Sequence, residues 1–225
     1  MLPARFRALR AQVLVNYPAL WWAVQQGHAP LHVSVLEIDG IAVLLAGPGG
    51  VGKSTLVARE LAAGSTATCD NMAVCDGVVA HGLAEPLRLP PEASSSASGA
   101  RTTHGRREMA WQSQVPTLCP DLVVVVRRGA EAGPEIRPIS GATAQRALVA
   151  GTYAAGELRR FWPLAAVLGL ATGRGPAHPP VELVAGLITA RLPCFDLQLG
   201  RRPGLPLAAM LADQLADVRR EGLSL

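Results

Sequence analysis

The chain has 225 residues, of which 49% are hydrophobic and only 17% charged, and it carries a net charge of +4. That is enough apolar material for a sizeable core in a single domain over residues 1–225. The mild positive charge suits an anionic ligand such as a nucleotide, but no basic and aromatic residues interleave as a nucleic-acid surface would require, so no nucleic-acid partner is expected.

Residues 4–27 read as an N-terminal helical segment. Phe6, Leu9, Val13, Leu20 and Val24 are its apolar positions, Pro18 is a candidate break, and Trp21-Trp22 reads as packing surface. Leu31–Ile38 alternates partly, as a half-buried strand does. Asp39-Gly40 then separates it from the apolar run Ile41–Ala46, and Asp-Gly between two such runs is a strong hairpin signal. The strand over 41–46 is therefore expected to pair antiparallel with its predecessor.

Gly47-Pro48-Gly49-Gly50-Val51-Gly52-Lys53-Ser54-Thr55 follows at once and fits G-x-x-x-x-G-K-[ST]. Glycines at this spacing allow a tight turn whose backbone N–H groups can cradle phosphate oxygens, helped by the N-terminus of the next helix. Lys53 would reach the β- and γ-phosphates, and Ser54 would offer its hydroxyl oxygen to Mg²⁺. Strand, loop and helix (54–63) occur in the order that this mechanism needs.

Gly64 reads as the helix stop, Ala67–Val74 as a strand, and Asp76-Gly77 as a second hairpin turn. Prolines 86, 90 and 91 end regular structure. Residues 92–107, rich in Ser, Gly and Ala and then basic, read as a mobile loop. Its Arg101, His104, Arg106 and Arg107 could clamp transferred phosphate or an acidic acceptor. Leu122–Val126 is a buried strand ending in Arg127-Arg128, with Ile136–Ile139 expected beside it. Helices are expected over 142–154, 157–171, 181–192 and 207–220, and a late strand over 194–199. In the helix that opens at Glu157, Arg160 lies one turn on. The two read as an ion pair, or else as contacts to an acceptor or an adenine ring.

The four cysteines form no CxxC pair and, with five scattered histidines, no zinc pattern. They read as core thiols of a reducing compartment. No signal peptide is visible. The longest apolar stretch, near residues 161–171, is interrupted by Pro163 and too short to span a bilayer. The expected location is cytoplasmic, with no membrane partner. The expected fold class is α/β, with a mixed, twisted sheet around the phosphate loop and helices at the C-terminal end.

A phosphate loop commonly works with an Asp that closes an apolar strand. Here the best apolar strand ends in Arg127. The substitute is Asp70 in Cys69-Asp70-Asn71, on the strand after the loop's helix. A carboxylate there could take a proton from an attacking hydroxyl or bind metal.

With these residues the sequence resembles the HPr kinase/phosphorylase family, related to ATP-dependent phosphoenolpyruvate carboxykinase. The resemblance covers about residues 31–90. It rests on a His at the start of the strand, the hairpin, the phosphate loop, its helix, and an acidic pair on the following strand. His32 precedes Gly47 by 15 positions (47 − 32), and Asp70 follows Lys53 by 17 (70 − 53). The resemblance implies ATP and Mg²⁺ as ligands, Asp70 as general base, Ser54 and position 71 serving the metal with Asp70, and His32 supporting Asp70 by a hydrogen bond. It also implies a possible homo-oligomer. The second acid of the pair is Asn71 here, and Val33 stands where the family has Gly. The family's N-terminal domain is missing from the sequence, which looks more like the short stand-alone relatives, some of which phosphorylate a peptide serine.

The expected function is ATP-dependent phosphoryl transfer to a hydroxyl, on a peptide or protein serine. Two alternatives stay open: a small-molecule kinase using the same site, and a non-catalytic ATP-binding sensor or scaffold. Arg101, His104, Arg106, Arg127 and Arg160 are the candidate acceptor-side residues.

Overall fold

The computed structural model describes residues 10–83, 85–89, 102, 105–111, 113–130, 133–175, 177–200 and 204–222. The described chain begins with a π-helical turn, Gln12–Asn16, which runs into α1 (Tyr17–Gln25). Pro18 sits in the first turn of α1 but inside a continuous helical run, where its missing N–H withdraws a donor from the preceding turn, and the winding changes from π to α there without a break in the segment. Next come β1 (Ala29–Leu31), β2 (Ser34–Ile38) and β3 (Ile41–Ala46). Asp39 and Gly40 both take left-handed backbone angles (φ 50° and 81°), as a two-residue hairpin turn requires.

After β3 the 47–52 loop leads into α2 (Lys53–Ala62). There follow β4 (Thr66–Cys69), β5 (Ala73–Cys75), β6 (Ala80–Gly82), β7 (Leu87–Leu89), β8 (Arg107–Met109), β9 (Thr117–Leu118), β10 (Leu122–Arg128) and β11 (Glu135–Pro138). Ser140 caps α3 (Gly141–Ala154), accepting a hydrogen bond from Thr143 N–H. α4 (Glu157–Thr172) starts and stops at left-handed glycines, Gly156 and Gly173, and carries Pro163 within it. The chain closes with α5 (Val181–Arg191), β12 (Cys194–Leu199), α6 (Leu207–Met210) and α7 (Ala212–Gly222).

The main sheet is mixed and six-stranded, in the order β11-β12-β10-β3-β2-β4. β10 runs parallel to both β3 and β12, while β2 runs antiparallel to β3 and to β4. A second, antiparallel sheet has the order β1-β5-β6-β9, and β7 pairs with β8. Both faces of the main sheet are covered, which is why β3 and β10 read as unbroken apolar runs. Leu44, Val123 and Val125 face a core with Leu20, Leu148, Phe161 and Ile188. Their neighbours Val43, Leu45, Val124 and Val126 face the other way, onto Leu56 and Val57 of α2 and Leu211 and Leu215 beyond it. Each fully buried side chain of this size contributes about 1.5–3 kcal/mol, so the sheet is fixed firmly on both sides.

Several expectations are corrected. Leu31–Ile38 is two strands in different sheets, and Ala67–Val74 is likewise split into β4 and β5. β11 pairs with β12 and not with β10, because the late strand inserts between them. The last helix is interrupted at Leu211, which is fully buried in the core. The helix expected over 157–171 is α4, which runs through Pro163. Cys69, Cys75 and Cys194 are buried, but Cys119 is exposed. Trp21 packs on the core while Trp22 is 61% exposed. Most of the 92–107 loop lies outside the described residues. Among the described residues, no helix is long and apolar enough to cross a membrane.

Candidate functional site

The site lies where the chain changes sheets. β1 and β2 follow one another but belong to different sheets, and the crossing falls at His32-Val33. β4 and β5 do the same, with the crossing at Asp70-Asn71-Met72. The two crossings lie side by side because Leu31 pairs with Ala73 on one side and Val35 with Cys69 on the other. The Ser34 hydroxyl pins them together, donating to the Asp70 carbonyl oxygen at 2.6 Å and lying 3.3 Å from Asp70 Oδ1. β3 is antiparallel to β2, with Leu45 opposite Ser34. Its C-terminal end therefore delivers the 47–52 loop to the same place.

The loop's glycines are dictated by geometry at two points. Gly47 has φ 143°, and a Cβ there would lie 2.5 Å from the Val126 carbonyl oxygen on the neighbouring strand. Gly52 has φ 122°, and its Cβ would press on Leu199 Cδ1 at 3.3 Å and Arg128 Nη2 at 3.4 Å. A side chain at either position meets both strain and crowding. Lys53 and Ser54 open α2, so their N–H groups have no carbonyl one turn earlier. Together with the helix dipole this makes the end of the loop electropositive.

Lys53 is buried, at 5% exposure. Its ammonium donates to the Gly47 carbonyl at 2.7 Å and the Pro48 carbonyl at 3.2 Å, and lies 3.2 Å from His32 Nε2. Burial lowers its pKa to about 8, with the Asp70 carboxylate opposing that and Arg106 adding to it. His32 is pushed down to about 4 by burial and then by the Lys53 charge, with the Asn71 backbone opposing weakly. It is thus neutral, and Nε2 is the acceptor for the ammonium, which assigns the proton to Nδ1. Nδ1 is buried and has no partner of hydrogen-bond geometry. Thr152 of α3 holds the backbone in place, its hydroxyl accepting from His32 N–H at 3.0 Å.

Asp70 is 6% exposed. Burial raises its carboxyl pKa to about 6; hydrogen bonds from Ser54 and Ser34 and the charges of Lys53 and Arg106 hold it from rising further. Ser54 and Asp70 line the same cleft, the serine on the side that stabilises the ionised carboxylate. Asn71 Nδ2 donates to Glu85 Oε2 at 3.1 Å, and Asn16 donates to the other oxygen of Glu85 at 3.0 Å.

These groups border one cleft of about 350 Å³. Of the expected residues, Gly49, Gly50, Gly52, Lys53, Ser54, Thr55, His32, Asp70, Asn71 and Arg106 line it. Gly47 and Val51 shape the loop from behind, Val51 by packing in the core with Leu56. Two residues depart from expectation. Arg127 does not line the cleft; its Nε lies 2.9 Å from the buried Asp196 Oδ1 as an ion pair without hydrogen-bond geometry. Arg160 is turned to Glu157 at 2.6 Å, the ion pair that the helical spacing allowed. Arg101 and His104 lie outside the described residues. The ring of His32 hydrogen-bonds Lys53; the partners of Asp70 are the two serines.

Three lining residues were not singled out for this role, Arg88, Arg128 and Ala155, and Glu157, read as an ion-pair partner or else an acceptor contact, lines the cleft as well. A signal for Arg128 existed. Residues alternate faces along a strand, so Arg128 shares its side of β10 with Val124 and Val126, the side that packs on α2, and Arg127 does not. Nothing in Leu87-Arg88-Leu89 marks Arg88, because the pairing of β7 that places it is not local. With Lys53, Arg88, Arg106 and Arg128 against Asp70 and Glu157, the cleft carries an excess of positive charge suited to a polyanion.

No family model matches the sequence, and no curated protein does. Among solved structures, the HPr(Ser) kinase/phosphatase from Coxiella burnetii is similar at 18% identity, over 49% of this chain and 76% of that one, with a TM-score of 0.33. A likeness that weak does not place the chain in a family.

Proposed function

We propose that the chain is a phosphotransferase that binds ATP with Mg²⁺ at the 47–55 loop and transfers the γ-phosphoryl group to a hydroxyl, that of a serine in a peptide or protein. The observation that carries this reading is the convergence of Lys53, Ser54 and Asp70 on one positively charged cleft. It joins a candidate base, a candidate metal-side hydroxyl and a phosphate-side cation, supplied by two separate segments of the chain, the start of α2 and the crossing after β4.

The residues fit both ligands. Backbone N–H groups of the loop and the start of α2 offer a cradle for phosphate oxygens. Ser54, Asp70 and the side-chain carbonyl of Asn71 are oxygen donors, the kind a hard divalent cation takes alongside phosphates. Such an ion supplies charge neutralisation on the phosphate oxygens. The Asn71 amide is engaged through Nδ2 by Glu85, which leaves Oδ1 as the atom it can offer.

In the transfer, the acceptor hydroxyl gives its proton to Asp70 as its oxygen bonds to the γ-phosphorus. The bond from that phosphorus to the β–γ bridging oxygen breaks, and ADP leaves with the electron pair. At a pKa of about 6, Asp70 is ionised at neutral pH yet more basic than an ordinary carboxylate. Lys53 must leave the Gly47 and Pro48 carbonyls to meet the phosphates, and neutral His32 neither competes for them nor repels it. Asn71 in place of a second acid favours one other reading, a nucleotide sensor without chemistry.

Single-turnover transfer from labelled ATP to a pool of serine-containing peptides tests the proposal, with ATP binding measured in parallel. Asp70→Asn is expected to slow transfer by about 10²–10⁴-fold while ATP affinity stays close to wild type. Wild-type binding without any transfer points to the sensor. Absence of ATP binding to the wild-type chain overturns both readings.

A further inference from the structure

A second cavity, of about 220 Å³, opens on the far side of the start of α2. It shares Gly52, Thr55 and Arg128 with the first cleft, so the two meet at the exit of the loop. Its walls differ in kind. Leu199, Leu205 and Met210 give it an apolar face, and its charged groups are the guanidiniums of Arg59 and Arg128. No acidic side chain lines it among the described residues. Leu205 is 56% exposed, so this apolar face is open to an incoming ligand.

We infer that this second cavity is the subsite for the base of a nucleoside triphosphate, continuous through Gly52, Thr55 and Arg128 with the phosphate cleft. The inference rests on the proposed phosphate role of the 47–55 loop. A triphosphate is a linear chain. With its terminal phosphates near Lys53 and Asp70, the nucleoside leaves along the cleft past Gly52, Thr55 and Arg128, the residues that border both cavities. Lys53 and Asp70 fill one end with charge, whereas the other end meets Leu199 and the Arg128 guanidinium within 3.3–3.4 Å of where a side chain at Gly52 would begin. Gly52 thus keeps open the passage between the two cavities. A flat heteroaromatic ring gains from covering exposed apolar side chains, and a guanidinium is well suited to stack on its face. Arg59 is held for this by donating to the Gly204 carbonyl at 3.1 Å. Arg128 sits at the junction and can serve phosphate and base alike.

Calorimetric titration with Mg²⁺-ATP and with Mg²⁺-tripolyphosphate separates base from phosphate. The wild-type chain is expected to bind ATP at least about tenfold more tightly than tripolyphosphate. Leu205→Asn combined with Met210→Ser changes no charge and should remove most of that advantage, leaving tripolyphosphate affinity unchanged. Circular dichroism establishes that the variant is folded, and Leu205→Asn alone, at an exposed position, serves as the milder second variant. Equal affinities for ATP and tripolyphosphate in the wild type overturn the inference, as do folded variants that keep the full ATP advantage or lose both ligands alike. A wild-type chain that binds neither ligand overturns the phosphate-loop reading itself, and this inference with it.

Discussion

Lys53 Nζ and His32 Nε2 lie 3.2 Å apart, joining the first turn of α2 to the crossing between two sheets. The pair places a cation against a neutral imidazole in a buried pocket, and burial holds Lys53 near a pKa of about 8. Phosphate oxygens beside the amine would favour its charged form. Nucleotide binding above pH 8 should therefore take up a proton. Calorimetry in buffers of different ionisation enthalpy at pH 8.5–9 should show that uptake. Affinity should be nearly flat from about pH 7 to pH 8, above the titration of Asp70, and fall by up to about tenfold per unit above pH 8. Lys53→Met should abolish the uptake and weaken binding by about 2–4 kcal/mol. Proton uptake that persists in Lys53→Met would assign it to another group.

Asp70 and His32 should pull stability in opposite directions with pH. Asp70 has a folded pKa of about 6 against an ordinary 3.8. The folded state binds its proton more tightly, so its contribution is full below about pH 3.8 and is lost as pH rises through about 6. His32 has a folded pKa of about 4 against 6.5. Its contribution is full above about pH 6.5 and is lost as pH falls through about 4. Each shift corresponds to about 3 kcal/mol, so in the wild type the two largely offset each other between pH 4 and 6. Asp70→Asn removes one of them. Its unfolding free energy relative to wild type should rise by about 3 kcal/mol from pH 4 to pH 7, read from urea titrations. A difference that does not vary with pH would refute the raised Asp70 pKa.

Arg127 and Arg128, adjacent in sequence, should separate cleanly. Arg127 pairs with Asp196, which is 1% exposed and also receives two hydrogen bonds from Arg137 at 3.1 and 3.2 Å. Arg127→Ala should lower stability by about 1–3 kcal/mol, moderated by Arg137, and leave nucleotide affinity alone. Arg128→Ala should weaken nucleotide binding about tenfold or more and barely change stability, since Arg128 is exposed at the cleft. Thermal melts beside ATP titrations decide. The reverse pattern would mean that the cleft uses the other arginine.

Gly47→Ala should destabilise the fold as well as the loop. A methyl group there must clear a backbone oxygen at 2.5 Å on a strand held on both sides, at a φ of 143°. The cost expected from strain of this kind is about 1–3 kcal/mol or more. Gly49→Ala, where a Cβ meets nothing within 4 Å, is the control and should leave stability within about 0.5 kcal/mol of wild type. Chemical denaturation of the two variants side by side provides the comparison.

The sequence by itself determined what is local. Asp39-Gly40 takes left-handed angles that few other pairs adopt readily, so the hairpin and the antiparallel β2–β3 pair were legible. The glycine spacing of residues 47–52, the helix after it, the apolar run of β10 and the helices bounded by Gly156 and Gly173 were legible for the same reason: backbone preference and side-chain period act over a few residues. What only the tertiary structure decided is which strands become neighbours. His32 looked like the opening of one continuous strand and Asp70 like an interior position of another. They are the points where the chain leaves one sheet for another, and only the pairing of β1 with β5 and of β2 with β4 fixes that. β11 beside β12, Arg88 at the cleft, and Glu85 behind Asn71 follow from the same cause. Each depends on contacts between residues far apart in sequence, which no local pattern encodes.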